Sequence, residues 1–560
     1  MDFPRLAIAI ALCFLIFVLW EIFFIDKEAV QPPSESQQAE QMAKEEPFNK
    51  YLEKDIIDKK VMPDLMPDFI SGKDDLLKPV KAARTITVNT PLYSVKISEK
   101  GAVFNDFILK DYKENGADDS PLYQMISPEI HDKGTVLLGL AGNSLPGLKH
   151  AVFNVDRDAE SVNISHQSEE ITFSWVSENG VVVEKRFIFS PDTYLIGLNV
   201  IIKNGSYQTI QDNLILSLMK TYSTTTTMYG FEGPSALINN SLEQIKAKKI
   251  KDKNIYTGTL EWVAVQDRYF MSSIISTKPV EASMRLFLSQ DGMLYEAQYM
   301  QPETVIQPGM QHGYEYKLFF GPKSTKILKQ CGYNLSKAID FGMFDFIAKP
   351  CLWFMNFLYS IIPNYGVAII ILTIMTKIIL WPLGTKSYKS MAQMKKVQPL
   401  MMEIREKYKH DKKKMNEEVM SLYKTYKVNP VGGCLPMIVQ LPVFFALYRM
   451  LYEAIELRHA PFLGWITDLS APDRLFDFNV SIPLMQPPYG IPVLTIIMGA
   501  TMFLQQQMAP SIGDPTQAKM MKFMPIIFTV IFINFSSGLV LYWLINNILS
   551  IAQQHYITKK

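Results

Sequence analysis

Two regions of this sequence are apolar over lengths that fit a lipid bilayer, and they constrain the fold more than any other feature. The first lies at the N-terminus, and the second fills most of the chain beyond about residue 351. The stretch between them has the mixed polarity of a water-soluble protein. Composition hides this division, because 48% hydrophobic and 20% charged residues suit either class. We therefore expect an integral membrane protein with a separate soluble domain.

The N-terminal apolar run extends over residues 6–25 and is interrupted only by Glu21. About 20 apolar residues span a bilayer as a helix. A cleaved signal peptide is the alternative, but its apolar core is usually about 7–15 residues long and ends at small residues. Residues 1–27 are thus predicted to be an uncleaved transmembrane anchor. Residues 28–83, rich in Gln, Glu, Lys, Asp and Pro, are predicted to be a flexible linker.

Residues 84–340 contain many short runs that alternate in polarity or are rich in β-branched residues. Examples are residues 171–175 (ITFSW) and residues 198–202 (LNVII). Turn signals such as Asn179-Gly180 separate these runs. The pattern predicts a large, mostly-β domain of the sandwich type.

Beyond residue 340 the pattern becomes helical. Residues 341–362 are aromatic and apolar but carry Asp345 and Lys349, which favours an amphipathic helix lying in the membrane interface. Residues 363–383 supply a first core span. Residues 429–560 are expected to hold four more spans, at about 433–453, 489–508, 523–535 and 538–556.

Charge placement predicts the orientation of these spans. Residues 384–428 hold 12 Lys or Arg against 5 Asp or Glu, whereas residues 457–480 hold two arginines against three aspartates. By the positive-inside rule, the basic segment and both termini are cytoplasmic and the β domain lies on the other side. The expected fold class is an α-helical polytopic membrane protein. It has an N-terminal anchor, a five-helix core, a large all-β domain outside and a cytoplasmic helical hairpin.

One charged residue, Lys377, falls within the first core span. It follows Gly366 by about 11 residues, which places it about 16 Å into a hydrocarbon layer roughly 30 Å thick. An ammonium at that depth costs at least about 2.5–3.5 kcal/mol, so it should face water or a partner. Thr373 lies four residues earlier on the same helical face. The alternative is that Lys377 only extends its stem toward the cytoplasmic headgroups.

The core spans contain no Asp or Glu except Glu453, which lies at the opposite, outer end. An unpaired ammonium then requires hydration, which a water-filled cavity open to the cytoplasm would provide. Polar and aromatic side chains of the other spans are candidates to line this cavity, although Asn and Gln also bridge helices in ordinary bundles. These candidates are Gln440, Asn534, Tyr542, Trp543 and Asn547.

Residues 384–428 carry apolar residues at steps of three and four, with Lys and Arg on the remaining faces and a break near His410-Asp411. This pattern predicts a cytoplasmic helical hairpin. Packing of the two helices on each other explains most of the apolar positions. A second interpretation adds that surplus methionines contact apolar segments of varied client proteins, meaning other proteins that this chain would bind. The lysines would contact anionic lipid or the ribosome. Its residues are Met394, Met401, Lys395, Lys396, Lys412 and Lys413.

Neither a cofactor nor a metal site is expected, and no enzymatic activity. The four cysteines and seven histidines are dispersed, and the chain has no HExxH motif, phosphate-binding Gly-rich loop or GxSxG motif. The net charge of +1 gives no reason to expect a nucleic-acid-binding surface over the whole protein.

Three strings resemble those of the YidC/Oxa/Alb family: residues 429–436 (NPVGGCLP), residues 440–442 (QLP) and residues 537–543 (SGLVLYW). The order of elements is similar to that of Gram-negative members from end to end. The resemblance implies an inner-membrane insertase with a periplasmic β domain of the supersandwich type. It also implies a groove that is open to cytoplasm and lipid and closed toward the periplasm, in which one positive charge attracts the hydrophilic or acidic tail of a client.

The partners implied by the resemblance are nascent membrane proteins, the Sec translocon, the ribosome and the lipid bilayer, without a small-molecule substrate. The family usually has Arg where this chain has Lys377, so the charge is kept and the planar, two-pronged donor is lost. Ser536 and Trp543 stand where Pro and Tyr are common in the family.

Two other functions fit part of the sequence. A transporter could use Lys377 as an ion or substrate site, but the internal repeat typical of secondary transporters is not visible. A membrane-tethered periplasmic enzyme is the other, but residues 84–340 show no acid–base pair that can be named.

Overall fold

The computed structural model describes residues 83–117, 119–126, 130, 132–221, 230–289, 294–426, 428, 435–478, 480–508 and 515–559. The predicted anchor, nearly all of the predicted linker and residues 429–434 lie outside the described residues. The described residues belong to one compact unit.

The first sheet of the β domain has the strand order β4-β3-β2-β1-β7. Its strands are antiparallel, except that β1 and β7 run parallel. Alternate residues of β1 are buried, as expected for a strand with one face on a core. The bounds are β1 Thr85–Asn89, β2 Tyr93–Ser98, β3 Val103–Lys113, β4 Leu122–Gln124 and β7 Ser161–Asn163.

The second sheet has twelve strands among the described residues, with β15 at its centre. The first half of β15 pairs with β17, its second half pairs with β16, and β14 pairs along both halves. The bounds are β5 Leu137–Leu140, β6 Asn154–Val155, β8 Glu169–Val176, β9 Val181–Phe189, β10 Leu195–Asn204, β11 Ile210–Thr221, β12 Gly233–Ile238, β13 Ser241–Gln244, β14 Ile255–Gln266, β15 Phe270–Leu288, β16 Leu294–Ile306 and β17 Gln311–Pro322.

Aromatic rings hold the two sheets together. The ring centroid of Phe104 in the first sheet lies 5.2 Å from that of Phe187 in the second, and Phe107 lies 5.0 Å from Phe320. These side chains are buried, so the two sheets share one core. The predicted mostly-β sandwich is therefore confirmed.

A lysine lies inside this sandwich. Lys185 of β9 is completely buried, and its Nζ donates to the backbone oxygens of Gly101 (3.2 Å), Ala102 (2.6 Å) and Val136 (2.8 Å). The three acceptors belong to the segments beside β3 and β5, so the ammonium links β9 to both. Burial lowers the pKa of Lys185 to about 7 from its usual 10.5.

We expect the β domain to become more stable as the pH rises from about 7, because of Lys185. The unfolded chain keeps the lysine proton up to the ordinary pKa, whereas the folded chain releases it near pH 7. Below pH 7 the folded protein therefore bears the full free-energy cost of burying the charge, and above pH 7 this cost decreases. The gain is at most about 1.4 kcal/mol per pH unit. Hydrogen exchange of β9 in the full-length protein should show wild-type protection rising relative to Lys185→Met between neutral and alkaline pH. Parallel pH profiles of the two proteins would contradict this.

Eight α-helices are described, and most follow the β domain in the sequence. Asn364 caps the start of α3, since its side chain accepts a hydrogen bond from the backbone N–H of Val367. The bounds are α1 Thr325–Cys331, α2 Asp345–Ile361, α3 Tyr365–Lys407, α4 Lys412–Thr425, α5 Leu435–Glu453, α6 Val493–Met508, α7 Pro515–Phe532 and α8 Ser537–Lys559.

Helix α3 continues without a break through the predicted end of the first core span at residue 383, although it contains Pro382 and Pro399. The span and the first arm of the hairpin are therefore one helix of 43 residues. Judged by length and composition alone, α3 is the one helix within the described residues that could cross a membrane. Residues 523–532 form a shorter apolar helical stretch. The number of spans stays a prediction.

The β domain rests against one end of the helical bundle, which we call the outer end. Arg268, in the turn between β14 and β15, stacks on Tyr452 of α5 with 3.6 Å between its guanidinium carbon and the ring centroid. Its Nε also donates to the Tyr452 backbone oxygen at 2.7 Å. From the helical side, Arg458 lies over the Phe270 ring and donates to the Glu114 backbone oxygen. The β domain is thus docked onto the bundle through direct contacts.

Candidate functional site

The ammonium of Lys377 is held by neutral side chains of α8. Its Nζ donates to Ser550 Oγ at 2.6 Å and to Asn546 Oδ1 at 3.4 Å. Across the described part of the chain, no carboxylate forms an ion pair with Lys377. Its positive charge is therefore solvated by oxygen dipoles and is not neutralised.

Asn546 connects three helices at this point. Its Oδ1 accepts from Lys377 of α3 and, at 3.1 Å, from Gln440 Nε2 of α5. Gln440 also lies beside the Tyr542 hydroxyl, one turn earlier on α8. An ammonium has three N–H donors, and α8 engages two of those of Lys377. Among the described residues, the third donor has no hydrogen-bond partner.

The polar contact between α3 and α8 extends toward the end of the bundle opposite the β domain, which we call the inner end. Asn546, Ser550 and Gln553 lie on one face of α8 because they are spaced by four and three residues. Gln553 Nε2 donates to the Trp381 backbone oxygen at 3.1 Å and to Thr385 Oγ1 at 3.3 Å. The line of polar groups thus runs from Lys377 along about two helical turns, in a region that the sequence presents as membrane-embedded.

Several residues predicted to line the cavity lie elsewhere. Asn547 is buried, and its Nδ2 donates to Thr501 Oγ1 of α6 at 3.2 Å, so it bridges two helices on the other side of α8. Thr373 is buried too, and its hydroxyl donates to the Ile369 backbone oxygen of its own helix. Such a bond satisfies the hydroxyl locally, so Thr373 offers no free polar group to the Lys377 site.

The two adjacent aromatic residues of α8, Tyr542 and Trp543, contact different parts of the bundle. Tyr542 is buried, and its hydroxyl lies beside Gln440. Trp543 packs against Phe444 of α5 and Phe532 of α7, with ring centroids 4.6 Å and 5.1 Å apart. Trp543 is therefore a packing residue between three helices, and Tyr542 is the one that reaches the polar site.

Asn534 does not approach Lys377. It lies in the turn between α7 and α8, where its Nδ2 donates to the Leu484 backbone oxygen and its Oδ1 accepts from the Gln486 backbone N–H, both at 2.9 Å. These partners belong to the outer loop between α5 and α6. The side chain fixes a loop and does not line a groove, which corrects the prediction made for it.

The outer end of the bundle is closed by the segment of residues 459–474. A Cβ on Gly366 would lie 2.0 Å from the ring of Phe462, so only glycine allows this close approach to the start of α3. At the start of α8, the Gly538 N–H donates to the Leu469 backbone oxygen and the Ser537 N–H to that of Ala471. The segment thus covers the starts of both helices that form the Lys377 site.

The hairpin formed by the end of α3 and by α4 buries the methionines predicted to contact clients. Met394 and Met401 of α3 pack with Tyr423 of α4, whose hydroxyl lies 3.1 Å from the Met401 sulfur. The client-contact prediction for these two methionines is therefore wrong, because they form the core between the two helices. Among the described side chains of the hairpin, the exposed methionines are Met402 and Met420.

The lysines predicted for the same surface are exposed wherever they are described. Lys395, Lys396 and Lys413 point to solvent, and the side chain of Lys412 lies outside the described residues. The basic surface of the hairpin is thus available to an anionic partner, independently of the buried methionines.

Asn546 and Ser550, the two direct partners of Lys377, are not among the residues predicted from the sequence. A signal was present: Asn546, Ser550 and Gln553 repeat at helical spacing within an apolar segment. Between the neighbours Asn546 and Asn547, only the packing of α8 shows which one faces α3.

Two family models match the chain, 60Kd inner membrane protein over residues 357–560 and YidC periplasmic domain over residues 85–354. A curated relative from Syntrophus aciditrophicus, named Membrane protein insertase YidC, is 42% identical over 480 residues and the match covers 85% of each chain. A relative of the same name from Syntrophobacter fumaroxidans is 37% identical over 562 residues, covering 99% of each chain. A solved structure of an active YidC insertase has 18% identity, covers 85% of this chain and 93% of its own, and gives a TM-score of 0.38.

Proposed function

This chain belongs to the YidC family of membrane protein insertases, and we propose that it inserts its clients by way of a hydrophilic groove centred on Lys377. As an insertase, it changes the location of other proteins and catalyses no covalent reaction. It resides in the inner membrane and carries a periplasmic domain. The groove and the roles of its residues are our inference.

The main support for this proposal is that the Lys377 ammonium has neutral hydrogen-bond partners and no carboxylate partner among the described residues. Its partners are the neutral Ser550 and Asn546. An ammonium without a counter-ion inside an apolar bundle attracts a carboxylate more strongly than it would in water, because the local dielectric constant is lower. A client with an acidic or polar tail would supply the missing negative charge or the missing hydrogen-bond acceptor.

The line of polar groups along α8 supports a route from the inner side. Asn546, Ser550 and Gln553 lie between Lys377 and the inner end of α3, whereas the segment 459–474 covers the outer end. A polar tail would therefore enter from the cytoplasm and travel about halfway across. The apolar part of the client would move into lipid along α5 and α7, where Leu441 and Phe523 are exposed. Burial of about 20 apolar residues supplies the favourable free energy, so nucleotide is not required.

The topology proposed for this function has six spans. They are the anchor within residues 1–27 and helices α3, α5, α6, α7 and α8, with both termini and the basic hairpin in the cytoplasm. Helix α6 has 16 residues, which correspond to about 24 Å against a hydrocarbon layer of roughly 30 Å. A thinner layer around the bundle would match it and would shorten the distance that a polar tail must cross.

The proposed partners follow from the same surfaces. Nascent membrane proteins are the clients, and the lipid bilayer receives them. The exposed lysines of the hairpin, including Lys395 and Lys396, suit anionic lipid headgroups or the ribosome. The Sec translocon is proposed as a partner from the family resemblance.

Thiol accessibility tests the groove. After replacement of the native cysteines, Lys377→Cys should react with a membrane-impermeant thiol reagent from the cytoplasmic side, since the reactive thiolate forms only in water. The matched control is Ile378→Cys, one residue along α3 and 64% exposed in the absence of lipid. Because Ile378 points to lipid, it should react at least about tenfold more slowly. Equal reactivity of the two cysteines would show that no water-filled groove reaches Lys377.

A further inference from the structure

The loop between α5 and α6 carries an unusually apolar surface. We call residues 475–492 the outer hairpin, because strands β18 (Leu475–Phe478) and β19 (Tyr489–Ile491) pair within it. Its sequence includes one charged residue, Asp477. Phe476 is 69% exposed, Val480 68% and Leu484 77%. Three large apolar side chains are thus turned outward within nine residues of one loop.

The outer hairpin is fixed at the outer end of the bundle. Arg474, at its base, donates to the backbone oxygens of Pro488 and Ile533, each at 2.8 Å. Asn534, in the turn between α7 and α8, binds the Leu484 backbone oxygen at 2.9 Å. Helix α6 begins at Val493, directly after β19. These contacts hold the hairpin beside the outer ends of α6, α7 and α8, which in the topology proposed above is the depth where hydrocarbon meets headgroups.

The backbone conformation sets the direction of two of the exposed apolar side chains, those of Phe476 and Leu484. Phe476 has φ 59° and Leu484 has φ 65°, in the left-handed region that bulky residues seldom occupy. Such conformations persist when the surrounding contacts impose them, and the Asn534 bond to Leu484 is one such contact. The exposed positions of Phe476 and Leu484 are therefore held by the fold and are not those of a loose loop.

We propose that the outer hairpin is a lipid-binding element that inserts Phe476, Val480 and Leu484 into the outer leaflet of the bilayer. The occupant of this surface is phospholipid, because the hairpin continues directly into a membrane helix and is anchored to the outer ends of two others. Since Asp477 is its one charged residue, insertion depends on apolar burial and takes place in zwitterionic and anionic membranes alike. The hairpin thereby holds lipid acyl chains beside the closed end of the bundle.

Fluorescence quenching in nanodiscs tests this proposal on the full chain. The native cysteines are replaced, one cysteine is placed at Leu484 or Val480, and an environment-sensitive dye is attached. The protein is reconstituted in phosphatidylcholine nanodiscs, which expose both faces to solvent. A nitroxide on the lipid acyl chain should remove most of the emission, while aqueous iodide should have little effect. Discs that also contain phosphatidylglycerol should give the same result.

The matched control is a dye at Tyr207, which is fully exposed in the turn after β10. Iodide should quench it and lipid nitroxide should not. Iodide quenching at 484 or 480 equal to that at 207 would place the hairpin in water and overturn the proposal. Protection from both quenchers would mean that protein covers the surface, as in a dimer, and would overturn it too. In a Phe476→Asp, Leu484→Asp variant, a dye at Val480 should lose most of its quenching by lipid.

Discussion

Replacing Lys377 with Ala should reduce insertion of a single-span client with an acidic translocated tail by about tenfold or more, while Lys377→Arg should stay active. The charge has neutral partners, so its field is available to the client carboxylate. Two unit charges 4 Å apart attract each other by about 1 kcal/mol in water and about 4 kcal/mol at an effective dielectric constant of 20. Every 1.36 kcal/mol corresponds to about a tenfold change in rate. Complementation of an insertase-depleted host and protease protection of the client measure the effect.

A chemical rescue separates the charge from the shape of the side chain. Lys377→Cys should be as inactive as Lys377→Ala, and a thiol reagent that attaches an aminoethyl group should restore insertion, since the product carries an ammonium at nearly the lysine position. A reagent of the same class that attaches an uncharged methyl group modifies the thiol without adding charge and should not restore insertion. A client with a neutral tail should be affected much less. If the Ala variant inserts the acidic client as well as the Arg variant does, the charge has no role in insertion.

Replacing Asp473 with Ala should destabilise the helical bundle by at least about 3 kcal/mol, since hydrogen bonds to a charged group contribute about 1.5–3 kcal/mol each and two of those at this site are short. The Asp473 side chain is buried, and its carboxylate accepts from the indole N–H of Trp465 and from the backbone N–H groups of Leu494 and Thr495. It thus caps the start of α6 and ties it to the segment that closes the outer end. Without it, three donors lose their acceptor.

Thermal unfolding in detergent measures this effect, and a decrease in Tm of roughly 6–12 °C is expected for a bundle of about 200 residues. Asp473→Asn is the control of equal shape. It keeps one acceptor oxygen but turns an amide N–H₂ toward donors, so its Tm should lie between those of the Ala variant and the wild type. A Tm of the Ala variant equal to that of the wild type would show that water replaces the carboxylate.

The sequence was sufficient to predict the β domain and to identify Lys377 as a charge within an apolar helix. Alternating polarity and turn residues fix the class of residues 84–340, because each strand has one face on the core. Lys377 could be recognised because a charge within an apolar run is costly wherever the run lies in the bilayer. Neither inference requires knowledge of which helices are neighbours.

The partners of Lys377 required such knowledge. Asn546 and Asn547 differ by about 100° around α8, and the sequence does not show which of these faces meets α3. In the structure, Asn546 faces α3 and Asn547 faces α6. Asn534 is a polar residue within a predicted span, which makes it a candidate for the groove, yet in the structure the turn that follows α7 uses its amide to hold the outer loop.

The methionines of the hairpin show a further limit of sequence patterns. Met394 and Met401 lie on the apolar face of α3, and that face is needed to pack α4. An amphipathic pattern identifies the face but does not show whether a neighbouring helix or a client covers it. The expected break near residue 410 depends on local chemistry instead, and Asp411 caps the start of α4 by accepting from the Lys414 N–H.

Helix α3 runs unbroken from Tyr365 to Lys407, a length of about 64 Å. Lys377 and the tip of the hairpin are therefore parts of one rod, separated by about 45 Å. A force applied to the tip must either bend the rod, for which Pro382 and Pro399 are the weakest points, or tilt the part of the helix that carries the ammonium. A load on the hairpin and the position of the Lys377 charge are thus coupled through a single helix.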